Sequence, residues 1–109
     1  RFSCISILFS LLFDGFFFMS LITQDIEIIN KLGLHARAAA TLVKVTSTFE
    51  SEIKLTKGIF TVDGKSILGI MSLAAAQGTT LTFSCEGSDS EAAMAAITEC
   101  ISGYFGEGE

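Results

Sequence analysis

From Leu21 onward the chain switches repeatedly between a two-residue and a helical hydrophobic period, and few folds accommodate that alternation. Ile26 and Ile28 flank Glu27 in the manner of a half-buried strand, and Asn30-Lys31-Leu32-Gly33 leads into a first helix. There Ala39, Leu42, Val43, Thr46 and Phe49 keep helical spacing. Ile53 and Leu55 alternate with polar residues, Lys57-Gly58 turns the chain, and Phe60 and Val62 return it, which predicts a hairpin. Asp63-Gly64-Lys65-Ser66 opens a second helix expected to run from Ile67 to about Ala76, closed by Gly78. Leu81, Phe83 and Cys85 alternate through a fourth strand. A last helix follows, with Ser88-Asp89-Ser90-Glu91 reading as a capping box and a stripe of Ala93, Ala96, Ile97, Cys100, Ile101 and Tyr104. Strand, helix, strand, strand, helix, strand, helix predicts an α+β fold, a four-stranded antiparallel sheet with three helices on one face.

The first 18 residues do not fit this pattern. They hold six of the ten phenylalanines, and Asp14-Gly15 splits the apolar run into pieces too short to cross a membrane alone. Arg1 is their only basic residue, and no Ala-x-Ala cleavage site precedes Met19. Residues 1–18 are therefore expected to be an extension outside the domain, which would occupy 19–109. The final Gly106-Glu107-Gly108-Glu109 reads as a frayed acidic end.

A net charge of −5 argues against nucleic acid or an anionic membrane as the main partner of the domain. Cys4, Cys85 and Cys100 lack metal-ligand spacing, and an odd number cannot all pair within one chain, so reduced thiols in a cytoplasmic protein are expected.

The chain's only histidine, His35, sits in Gly33-Leu34-His35-Ala36-Arg37. A glycine turn precedes it and a helical pattern follows. The imidazole is thereby placed at a helix start, where unpaired backbone N–H groups and the macrodipole favour an anion. Arg37 adds a planar donor fork suited to phosphate oxygens. A nucleophilic ring nitrogen beside an anion cradle can accept a phosphoryl group. No carboxylate precedes His35 at catalytic spacing and there is no second histidine, which weighs against a metal site and a Ser/His/Asp triad.

A second motif, Gly64-Lys65-Ser66, precedes apolar residues on nearly every side of a short helix: Ile67, Leu68, Ile70, Met71 and Leu73. Such a helix cannot bury its whole circumference, so an exposed apolar patch is expected. Ser66 reads first as an N-cap, and also as a candidate for phosphorylation. The motif lacks the earlier glycine of a nucleotide phosphate loop, Ile59 standing at that position.

Three segments, Gly-Leu-His-Ala-Arg at 33–37, Gly-Lys-Ser-Ile-Leu-Gly-Ile-Met at 64–71 and Ala-Ala-Ala-Gln-Gly-Thr at 74–79, together resemble the HPr family of phosphocarriers. These proteins belong to the bacterial phosphoenolpyruvate-dependent sugar phosphotransferase system. The resemblance implies an open-faced β-sandwich, with His35 phosphorylated on its δ nitrogen by Enzyme I and passing the group to an EIIA partner. It implies that Arg37 steadies the phosphohistidine and that Ser66 is the serine modified by HPr kinase/phosphorylase where that enzyme exists. Ala36, Ile67, Leu68 and Met71 would form the partner-binding surface of a monomer needing no cofactor or metal. Two departures stand out. Ala38 occupies a place where many members have proline, and Gly58-Ile59-Phe60 replaces a polar hairpin tip.

Two other readings compete with a relay carrier. One is a nitrogen-branch or regulatory relative acting through phosphorylation-dependent protein binding. The other is a free-standing enzyme using His35 as general base, against which the absence of a second catalytic group counts.

Overall fold

A computed structural model describes residues 20–109. The expectation for residues 1–18 lies outside this range. The elements are β1 (Ser20–Glu27), α1 (Ala36–Thr46), β2 (Glu52–Lys57), β3 (Phe60–Asp63), α2 (Ile67–Ser72), β4 (Thr80–Gly87) and α3 (Ser90–Ser102). A short 3-10 turn, Tyr104–Gly106, follows. All strands pair antiparallel in the order β1-β4-β2-β3, so the two strands joined by α1 are separated in the sheet by β4.

Alternation sorts the strand side chains onto two faces. Ile22, Cys85 and Ile53 are paired in one register row and are all buried, as are Phe83 and Leu55 in the next row of that face. The helices close over this face. α1 contributes Ala38, Ala39, Leu42 and Thr46, and α3 contributes Ala93, Met94, Ile97 and Ile101. The opposite face carries Thr23, Lys54 and Ser84, and beside them Asp25, Thr82, Thr56 and Thr61; across the strands the Thr82 hydroxyl donates to Asp25 Oδ1 and the Thr56 and Thr61 hydroxyls bond each other.

The β2–β3 hairpin pairs Lys57 with Phe60, leaving a two-residue loop of Gly58 and Ile59. Gly58 has φ +64°, the conformation a glycine at the first loop position supplies in such a tight turn.

Three local expectations change. α2 ends at Ser72 rather than near Ala76, because Ala74 turns left-handed (φ +50°) and the following carbonyls serve other segments. Lys57 Nζ donates to the Leu73 carbonyl, and Leu34 N–H to the Ala75 carbonyl. At α3 the capping box does not form. Asp89 holds the N-cap position but makes no side-chain cap, its carboxylate being engaged by the segment before β2. Finally, Tyr104 stays exposed, and Phe105, 4% exposed, fills the core in its place.

Candidate functional site at the start of α1

The loop that presents His35 is held from several directions. Asn30 is fully buried and its Nδ2 donates to the Gly33 carbonyl at 2.8 Å. Gly33 N–H returns to the Asn30 carbonyl at 3.1 Å, and His35 N–H donates to the Gly33 carbonyl at 2.9 Å. Gly33 is required twice over. Its φ is +70°, and a Cβ there would lie 2.5 Å from the Ala75 carbonyl oxygen. Only a bare backbone permits the approach that pins Leu34 to the loop after α2.

His35 is the N-cap of α1, in extended conformation, and its side chain does not cap the helix. The ring is 29% exposed, so it is neither sealed in the core nor free in solvent. Ala36 and Arg37 in the first turn are exposed, whereas Ala38 is completely buried. No acidic residue occupies that first turn, so its positive end faces the shallow hollow lined by Lys31, Leu32, His35, Ala36, Arg37, Glu107 and Glu109. The structure thus brings His35, Ala36 and Arg37 together on one surface.

The sequence reading missed one member of this site. Glu107 does not fray; its Oε2 lies 2.5 Å from His35 Nε2, and its Oε1 accepts from Asn30 Nδ2 at 3.1 Å. Its side chain is only 10% exposed. Burial opposes ionisation of this carboxyl, but hydrogen bonds from Asn30 and His35, together with the positive charge of His35 and Arg37, outweigh burial. The pKa of Glu107 therefore falls below the ordinary carboxylate value.

The backbone reaches this arrangement through strained geometry. Tyr104, Phe105 and Gly106 are consecutive left-handed residues with φ of +57°, +53° and +79°. For the two non-glycine residues this costs about 1 kcal/mol or more each. Burial of Phe105 and the bond from Glu107 N–H to the Tyr104 carbonyl at 2.8 Å hold the turn. The only hint in the sequence was the pair of glycines flanking Glu107, which marks a tight turn but not its target.

Ser66 lies in a separate place, at the N-cap of α2, where its Oγ accepts from Gly69 N–H at 3.0 Å. It is half-buried. Ile67, Leu68 and Met71 project outward, Leu68 being 78% exposed, while Ile70 and Leu73 of the same segment are buried. α2 packs against α1 and β3. Among the described residues no group of three or more His, Cys, Asp or Glu could hold a metal ion, and no helix is long and apolar enough to cross a membrane.

Comparisons with known proteins identify the family and the fold. Residues 22–102 match the family described as PTS HPr component phosphorylation site. The phosphocarrier protein HPr of Neisseria meningitidis serogroup A is 53% identical over 89 residues, which is 82% of this chain and all of the relative. Two crystal structures have the same fold. HPr-C-His from Thermoanaerobacter tengcongensis superposes with a TM-score of 0.75 at 47% identity, covering 78% of this chain and 96% of the other. HPr from Bacillus anthracis gives 0.72 at 38% identity, covering 74% and 96%. The fold and comparisons define a small carrier-type domain of the phosphotransferase system. The chain belongs to the HPr family.

Proposed function

We propose that the protein is a phosphoryl carrier, accepting the group from phospho-Enzyme I on the δ nitrogen of His35 and passing it to an EIIA component. The observation that carries this reading is the partly exposed imidazole at the bare N-terminus of α1. In this reading the amide groups of the first turn and the Arg37 guanidinium hold the added oxygens, and the ring itself is the only covalent participant. The protein acts as an intermediate of a relay rather than as a free-standing enzyme, as a monomer in the cytoplasm.

Ile67, Leu68 and Met71, with Ala36, supply the surface on which partners dock. A phosphoryl group on Ser66 would favour the start of α2 and repel acidic partners from that patch, giving the kinase-regulated arm of the same function.

The test is incubation with phosphoenolpyruvate and Enzyme I, followed by mapping of acid-labile phosphate. The unaltered protein takes up one phosphoryl group on His35, and His35→Ala takes up none. Undiminished label in that variant removes the carrier reading. With ATP and HPr kinase/phosphorylase, acid-stable label on Ser66 is expected and is lost in Ser66→Ala.

A further inference from the structure

Glu107 reaches His35 from 72 positions away, and its two oxygens face two different groups. An ionised carboxylate has no hydrogen to give, so both partners must donate to it. Asn30 can do so only through Nδ2, which also donates to the Gly33 carbonyl; turning the amide over would set Oδ1 against that carbonyl. The remaining carboxylate oxygen therefore requires a hydrogen on His35 Nε2. A neutral imidazole carries one hydrogen, so Nδ1 is left with its lone pair exposed.

We infer that Glu107 is a positioning residue that selects the Nε2–H form of His35 and thereby presents Nδ1 as the attacking nitrogen. This rests on the carrier reading. As the Nδ1–P bond forms, the bond from phosphorus to the donor's leaving atom breaks and its electron pair stays with the donor. The ring keeps its Nε2 hydrogen and becomes cationic, and the Glu107 carboxylate lies against that new charge. Delivery to the acceptor reverses these changes, with no proton transferred at Nε2 in either direction. The strained turn at Tyr104 and Phe105 and the buried Asn30 both hold the carboxylate in the one place where it can act this way.

Two substitutions separate this role from simple support of the fold. In Glu107→Ala the ring loses its acceptor, and both neutral forms should be populated. In Glu107→Gln the single amide oxygen is claimed by Asn30, the NH₂ turns toward His35, and the preference should reverse toward the Nδ1–H form. Ring ¹⁵N shifts report the form directly at about pH 9, well above the ordinary imidazole pKa of about 6.5. Phosphoryl uptake from Enzyme I should fall about tenfold in Glu107→Ala, comparable to loss of an outer partner of a ligating histidine. Glu107→Gln should be slower still, although it is the closer match in shape. The same ring form in all three proteins overturns the inference, and so do uptake rates that agree within about twofold. A starting protein that takes up no phosphoryl group removes the carrier reading, while the ¹⁵N pattern still decides whether Glu107 sets the ring.

Discussion

The Asp89 carboxylate caps Ser51, 38 positions earlier in the chain, rather than its own helix. Oδ1 accepts from Ser51 N–H at 3.0 Å and from the Ser51 hydroxyl, and Oδ2 accepts from Glu50 N–H at 2.9 Å. One side chain thus joins the start of α3 to the segment entering β2, and Ser51, only 1% exposed, depends on it.

That bond has a pH signature. The Ser51 hydroxyl first, and then the Glu50 amide, hold the Asp89 pKa below the carboxylate norm, and desolvation does not offset them. A carboxyl more acidic in the folded than in the unfolded state stabilises the fold above the unfolded pKa of about 3.9, and the contribution disappears as pH falls through the folded value. Asp89→Ala should cost about 1–2 kcal/mol at neutral pH, at the lower end for hydrogen bonds to a charged acceptor because the carboxylate is partly exposed and screened by solvent. Urea midpoints should converge for the two proteins as pH drops below about 4. A gap that is the same in acid as at neutrality refutes this.

Gly33→Ala should be costly although it adds one methyl group. The φ of +70° disfavours any side chain, and the new Cβ would press on the Ala75 carbonyl and on Ala76 Cα at 2.9 Å. A loss of about 1–3 kcal/mol is expected in urea denaturation, with slowed uptake on His35 because its loop must shift. A loss under about 0.5 kcal/mol would show that the loop relaxes freely.

Two neighbours on α2 should respond in opposite ways. Ile70 is fully buried, so Ile70→Ala should cost about 2–5 kcal/mol. Leu68 is 78% exposed, so Leu68→Ala should leave stability within about 0.5 kcal/mol and instead raise the KM for transfer from Enzyme I. Equal stability losses would disprove the division of this helix into a core side and a docking side.

Cys85 should behave as an inert core residue. Burial foremost, helped by the charge of Asp89, pushes its thiol pKa up to about 11. At pH 8 about one molecule in a thousand then carries the reactive thiolate. Iodoacetamide should leave Cys85 unmodified in the folded protein and label it readily in urea, as followed by peptide mass. Rapid labelling of the native protein counts against this packing.

What could be read from the chain itself was local. The periods of β4, α1 and α3 follow from spacing alone, the turn at Gly33 follows from glycine chemistry, and an exposed apolar patch on α2 follows from the shortness of that helix, although spacing did not single out Leu68 within it. What escaped was set by contacts between distant segments. Ser88 and Glu91 have the spacing of a capping box, but Asp89 finds Ser51 instead. Leu73 to Ala76 are good helix formers, yet their carbonyls are drawn to Lys57 and Leu34. Glu107 lies in a polar, glycine-rich end with no period at all. Its partner could be found only once Phe105 had entered the core and turned the chain back.

The sheet's uncovered face offers a practical opening. Thr23 and Lys54 are exposed there, backed by a ladder of hydroxyl groups and turned away from the imidazole and from α2. A fluorophore or spin label attached through a cysteine at Thr23 would travel with the molecule without entering either working surface, whereas Lys54 is paired with Asp63 at the turn leading to Ser66 and is less suited to it. Encounters with each partner could then be timed on a carrier whose chemistry is intact.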